Sequence, residues 1–319
     1  MRFIFSKLFH IILVVLIMLV TSIDTLSAGQ ETGGQYHLFG FVGAFVFGMI
    51  LELITGMTTA ASSTLTALSF TGFDNNNSTI RAVKEGNVYL VKAGVFSQGD
   101  GNYRIRSPRM ANDVQGLRWR HTLALNIPLT PRGFKERVYQ QDSVTMELSG
   151  SATGGDLDLA WNLFLYEGIG GARYCTREFA EKFKKAQTTA EATISTGTAG
   201  GYSGSAALSS FTQNMKANTL YALRGYTVGG NACGAVRLKG PDTGNYGVGG
   251  PGDVNRKDIT EDFFYNLSDD LGVGLVPVID GSNLGVTFID VAQNEVGADP
   301  IIVLSFVELV PEAKGYFAQ

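Results

Sequence analysis

The stretch "GVGGPGDVNRKDITEDFF", residues 247–264, sets Gly247, Gly249 and Gly252 in the spacing G-x-G-x-x-G ahead of a helix-like run. Its reading decides the fold. If it cradles a phosphate, the chain is an α/β nucleotide-binding protein. Such a site needs a strand leading straight into the glycines and a helix opening at the last one, so that amide dipoles meet the pyrophosphate. Here the preceding strand-like run ends near Lys239, Pro251 interrupts the motif, and the helical pattern opens only at Asp258. Asp269 and Asp270, the acidic residues that follow, lie within that helix rather than at the end of a second strand. In a chain with 40 glycines the spacing is read as chance on a long surface loop, and no nucleotide or other cofactor is expected.

Outward from that loop, runs rich in β-branched and aromatic residues recur at short intervals. They include "TLTALSF" (64–70), "NVYLVKAGVF" (87–96), "NYRIRS" (102–107), "LDLAWNLFLYEG" (157–168), "NTLYALRGYTV" (218–228), "LGVTFIDVA" (284–292) and "PIIVLSFVELV" (300–310), parted by Gly, Asn, Asp and Pro. Alternation in "NYRIRS" puts Tyr103 and Ile105 on one face, Arg104 and Arg106 on the other. Many strands and few helices predict an all-β sandwich. Two short amphipathic helices are predicted, in "TREFAEKFKKAQ" (176–187) and "DITEDFFYNLSDDLG" (258–272). Thr176 caps the first; Asp258 and Glu261 form a capping-box-like pair in the second, and Gly272 stops it. "TAGGYSGSAALSS" (198–210) is read as a linker or exposed loop.

The N-terminus differs from the rest. Arg2 and Lys7 precede an apolar run from Leu8 to Val20, and Ser27 or Ala28 offers a small residue for cleavage, the pattern of a secretory signal. A second run, "HLFGFVGAFVFGMILELITG" (37–56), has the length of a membrane span, with Glu52 near its end. Three readings stay open: both runs span, the first is cleaved and the second anchors, or the folded protein starts at Met57 and does not need what precedes it. The expected division is therefore 1–56 as a signal or transmembrane-like segment and 57–319 as the sandwich, with sub-domains at 57–143 and 144–311.

Chemistry-bearing residues are few. Charged residues make up 17% of the chain and the formal net charge is −4, so no global field draws it to nucleic acid. Two cysteines, Cys175 and Cys233, exclude a disulfide framework or four-cysteine zinc site; one bridge in an oxidising compartment stays open, and two separate buried thiols are the plainer reading. A Ser-His-Asp triad would have to use His121, and Ser203 in "GYSGS" misses the nucleophile-elbow spacing by one position. Asp156 and Asp158 could share a strand face and bind a hard cation, but a solvated strand edge is the plainer reading. Asn76, Asn77 and Asn266 begin glycosylation sequons. No catalytic, cofactor or metal residue is assigned, and the protein is not expected to be an enzyme.

One cluster stands out. Arg104, Arg106, Arg109, Arg118, Arg120 and His121 fall close together, most at alternate strand positions, so two adjacent strands would present them as a stripe. That stripe suits phosphate groups, whether of lipid headgroups or nucleic acid, or an acidic patch on a neighbouring subunit. Its plainer reading is a solvated face with cross-strand ion pairs, and Trp119, alternating with the arginines, is expected to point into the core.

With eight strands counted from Val144 to Val310, the chain resembles the viral jelly-roll capsid proteins of membrane-containing viruses, whose major coat protein carries one or two such domains. The resemblance covers Met57 to Pro311 by strand count and long Gly-rich loops and transfers no residues. It implies a self-assembling structural protein of a virion or cell-surface lattice, membrane-associated through residues 1–56 and partnered by itself. The alternative is a membrane-anchored β-sandwich that binds a glycan or protein through its loops.

Overall fold

A computed structural model describes residues 48–317, apart from 59–61, 72–86, 98, 111–114, 123–125, 140–141, 151–157, 196–200, 231–232, 253–255 and 294–298. The strands form two consecutive sandwiches. The first holds β1 (Met49–Thr58), β2 (Ser62–Ala67), β3 (Ser69–Thr71), β4 (Asn87–Phe96), β5 (Gly101–Arg106), β6 (Leu117–His121), β7 (Ile127–Pro128), β8 (Glu136–Val138), β9 (Thr145–Gly150) and β10 (Asp158–Glu167). Sheet I runs β3-β1-β10-β4-β7, with β8 also on β4; sheet II runs β2-β9-β5-β6.

The second sandwich holds β11 (Tyr174–Cys175), β12 (Lys184–Thr193), β13 (Gly201–Ala207), β14 (Thr212–Gln213), β15 (Leu220–Gly229), β16 (Cys233–Lys239), β17 (Val248–Pro251), β18 (Val276–Asp280), β19 (Phe288–Gln293) and β20 (Ile301–Leu309). Sheet III runs β13-β19-β16-β17 and sheet IV β11-β18-β15-β20-β12-β14. Short helices α1 (Arg177–Lys182), α2 (Lys257–Thr260) and α3 (Phe263–Leu271) belong to this half.

Both sandwiches have the same topology. Set aside the short flanking strands β3, β8, β11 and β14 and number eight strands in each half. Sheets I and IV then read 1-8-3-6, as β1-β10-β4-β7 and β12-β20-β15-β18. Sheets II and III read 2-7-4-5, as β2-β9-β5-β6 and β13-β19-β16-β17. Two four-stranded antiparallel sheets in that order are a jelly roll. The protein is all-β and contains two jelly rolls in tandem.

This moves the expected boundaries. A jelly roll closes only when its last strand returns beside its first, and β10 inserts between β1 and β4. The first unit therefore extends past residue 144 to Glu167, and the second opens near Tyr174. The start at Met57 is overturned as well, because β1 begins at Met49 and pairs with β10 along its whole length. Residues 48–56 of the apparent second span are thus core strand and coil, not membrane helix. Among the described residues no helix is long and apolar enough to cross a membrane; the signal-like run and residues 37–47 lie outside them.

The hydropathy of "MILELITG" misleads because β1 is buried on both faces, which makes a strand continuously apolar. Ile50 and Ile54 pack with Phe164 and Tyr166 in the core of the first sandwich. Leu51 and Leu53 join the core of the second, with Leu159, Trp161, Val236 and Leu304. Glu52 is tolerated because it accepts a 2.5 Å hydrogen bond from the Tyr166 hydroxyl. The outer edge of β1 is closed by the second sandwich: Leu53 N–H donates to the Gly247 carbonyl (2.7 Å) and Leu51 N–H to the Tyr174 hydroxyl (3.2 Å).

The glycine motif is no surface loop. Val248–Pro251 is β17, paired with β16 and buried at every position. A Cβ on Gly249 would lie 1.9 Å from the Val236 carbonyl, and one on Gly250 2.6 Å from the Phe263 ring. These glycines permit backbone-to-core contact, with no helix N-terminus at the end of the motif.

Both predicted helices are shorter. Thr176 caps α1 by accepting from Phe179 N–H, but the helix stops at Lys182 and "KKAQ" opens β12, held against β20. The second splits into α2 and α3; Asp258 pairs with Arg256 rather than in a capping box, while Gly272 does end α3 in the left-handed region (φ 66°). "GYSGSAA", expected as a linker, is β13, and a strand around Ser203 gives no nucleophile elbow. Cys175 and Cys233 are separate buried thiols.

Candidate functional site

The sheets stack in the order II, I, III, IV. Sheet I turns one face to sheet II and the other to sheet III. Leu159 of β10 fits against Gly234 of β16, and the Tyr202 hydroxyl of β13 lies against Thr55 of β1. Among the described residues no further sheet covers the outer face of sheet II, and Arg104, Arg106, Arg118 and Arg120 lie there.

Cross-strand register sorts the predicted residues. Arg104 stands opposite Arg118 on β6 and Glu147 on β9; Asn102 stands opposite Arg120. Tyr103 and Trp119, between them, turn inward and stack at 6.0 Å, as the alternation requires. Glu147 accepts from Arg104 (2.5 Å) and Arg106 (3.3 Å). Burial would raise its carboxyl, but the two guanidiniums outweigh that and hold it below the ordinary range. Arg118 donates to the Asn102 side chain at 3.3 Å, and Arg120 is exposed. Glu147 thus binds two of the four guanidiniums, and Arg118 and Arg120 stand exposed beside them on the same sheet face.

The other two candidates are not part of that face. Arg109 is clamped to Asp142 by Nε and Nη2 at 3.0 and 2.7 Å, and lies 4.7 Å over the Tyr139 ring. Burial favours the neutral form of Asp142, yet the Arg109 and Ser107 hydrogen bonds prevail and its pKa is lowered. His121 points inward, 2% exposed, with Nε2 2.8 Å from the Ser149 carbonyl. A carbonyl only accepts, so Nε2 carries the proton, and Nδ1 is buried without a partner among the described residues. Burial lowers its pKa, outweighing the Ser149 carbonyl and the charges of Asp158 and Asp100. The ring is neutral at pH 7 and adds no positive charge to the stripe.

Around His121, Asp158 is 1% exposed rather than at a solvated edge, and Ser97 is 1% exposed with its hydroxyl donating to the Gly99 carbonyl. Asp156 lies outside the described residues, as do Asn76 and Asn77; Asn266 is exposed on α3. Among the described residues no three His, Cys, Asp or Glu side chains come together to hold a metal ion.

Sequence reading missed the carboxylates that divide the arginines. Glu147 faces outward because Met146 and Leu148 face inward, which alternation in "VTMELSG" shows. Its pairing with Arg104 depends on register between strands far apart in the chain. A second such pair was also missed: Arg237 of β16 stands opposite Asp290 of β19, bonded at 2.9 Å, its guanidinium 3.7 Å from the Tyr202 ring centroid.

No protein-family model matches the chain, and no curated protein sequence does. Among solved structures, the PBSX exported protein XepA aligns with 82% of this chain and 86% of its own at 9% identity, with a TM-score of 0.24. The STIV MCP aligns with 84% of this chain and 100% of its own at 9% identity and a TM-score of 0.21. The stem and receptor binding domain of the spike protein P1 from bacteriophage PM2 aligns with 81% of this chain and 97% of its own, at 10% identity and a TM-score of 0.14. These similarities are of broad architecture alone.

Proposed function

We propose that the chain is a non-catalytic structural subunit of a virion coat or surface lattice that acts through contacts with copies of itself. The observation that carries this reading is the tandem repeat of one strand order, 1-8-3-6 over 2-7-4-5, in a single chain. The two halves share a continuous core through β1 and β10, so they form one block with two similar sandwiches. Such a block suits tiling, because one chain already packs two similar sandwiches sheet against sheet. In this reading its place is the virion or cell surface, with the apolar residues 1–47 toward a membrane.

The test is the mass of the full chain by light scattering across a concentration series, with electron microscopy of the same samples. Discrete oligomers or ordered arrays are expected. A monomer at every concentration would overturn the reading and favour a binding module.

A further inference from the structure

The contact between the two halves has a direction: a 1-8-3-6 sheet (I) lies against a 2-7-4-5 sheet (III). The stack leaves one face of each kind outermost. Sheet II is 2-7-4-5 and exposes the arginines; sheet IV is 1-8-3-6. On sheet IV, α1–α3 cover part of the outer face, with the Thr260 and Glu261 carbonyls seated over Gly225. The rest is open around Ile301, 43% exposed, and its neighbour Val303.

We infer that the outer face of sheet II is the docking surface for the outer face of sheet IV of a second copy. This rests on the self-assembly reading above and names its interface. It would repeat between chains the contact that joins the halves within one chain. An arginine–carboxylate pair carries the parallel further. Arg237 and Asp290 face each other between strands 4 and 7 of the second sandwich, on the sheet whose outer face meets the first sandwich, and their side chains are 13% and 12% exposed. Arg104 and Glu147 occupy strands 4 and 7 of the first sandwich, 22% and 10% exposed, on a face that no other sheet covers among the described residues. The same pair thus recurs on the matching sheet of each half, once toward the other sandwich and once on the outermost sheet.

Charge favours the same occupant. Arg118 and Arg120 lie on the sheet II face, whereas the sheet IV face carries exposed Glu191, opposite Val303 on β20, and exposed Glu261 above β15. A contact between unlike faces is heterologous, so it propagates head to tail into a ring or an extended array.

The experiment compares the full chain with R118E/R120E, with E191R/E261R and with the four substitutions combined, by light scattering over a concentration series, after circular dichroism confirms folding. Each double variant should need about tenfold or more higher concentration to assemble than the unaltered chain, and the combined variant should recover. E191R/E261R keeps the test open if reversing two arginines on β6 prevents folding. Assembly that neither double variant alters would overturn this interface while leaving self-assembly standing. A chain that never assembles would overturn both.

Discussion

Trp161 and Asn126 are joined by a 2.7 Å hydrogen bond, the indole N–H donating to the amide oxygen; the Asn126 amide in turn donates to the Gly234 carbonyl at 2.8 Å. Both side chains are fully buried, and the chain of bonds runs from β10 of the first sandwich to β16 of the second. Replacing Asn126 by Leu leaves an indole N–H and a carbonyl buried without these partners. The expected cost is about 2–4 kcal/mol in chemical denaturation. A loss below about 0.5 kcal/mol would show that the halves do not depend on this bridge.

Deletion of residues 1–47 keeps β1 whole, whereas deletion of 1–56 leaves only Met57 and Thr58 of its ten residues. The first deletion should melt cooperatively. The second exposes the edge of β10 and removes Leu51 and Leu53 from the shared core, and should yield no folded protein. Circular dichroism melts of both decide it, and a cooperative melt of the shorter chain would show that β1 is dispensable.

Gly249→Ala places a methyl group 1.9 Å from the Val236 carbonyl, which belongs to backbone and cannot swing aside. Overpacking of this kind costs about 3 kcal/mol and should lower the denaturation midpoint. Gly170→Ala, with nothing within 4 Å of the new carbon, is the control and should change stability little.

His121 is held neutral in the fold by burial, with its pKa lowered. As pH falls through the unfolded-state value of about 6.5, the unfolded chain takes up a proton that the folded chain refuses, so stability declines toward the lowered folded value. Glu147 and Asp142 have lowered pKa values too; they add a further loss at lower pH, as each is protonated. Denaturation midpoints from pH 7.5 to 5 should fall for the unaltered chain and stay flatter for His121→Gln. Parallel curves would remove His121 from the account.

Period-two alternation by itself determined the strand-rich class, the inward turn of Tyr103, Ile105 and Trp119, and the outward turn of Arg104 and Arg106, because side chains on a strand have nowhere else to point. It determined the ends of one helix each, through the Thr176 cap and the Gly272 stop, which act within a single turn. It could not tell a strand buried on both faces from a membrane span, since β1 lies between two cores supplied by residues far along the chain. It could not read β17, whose glycines make sense only beside Val236 and Phe263. Tertiary structure alone decided that the strands form two jelly rolls, and that Glu147 and Asp142 divide the arginines. Pairing register is set by contacts between distant segments, and local periodicity carries no record of which segment will be the neighbour.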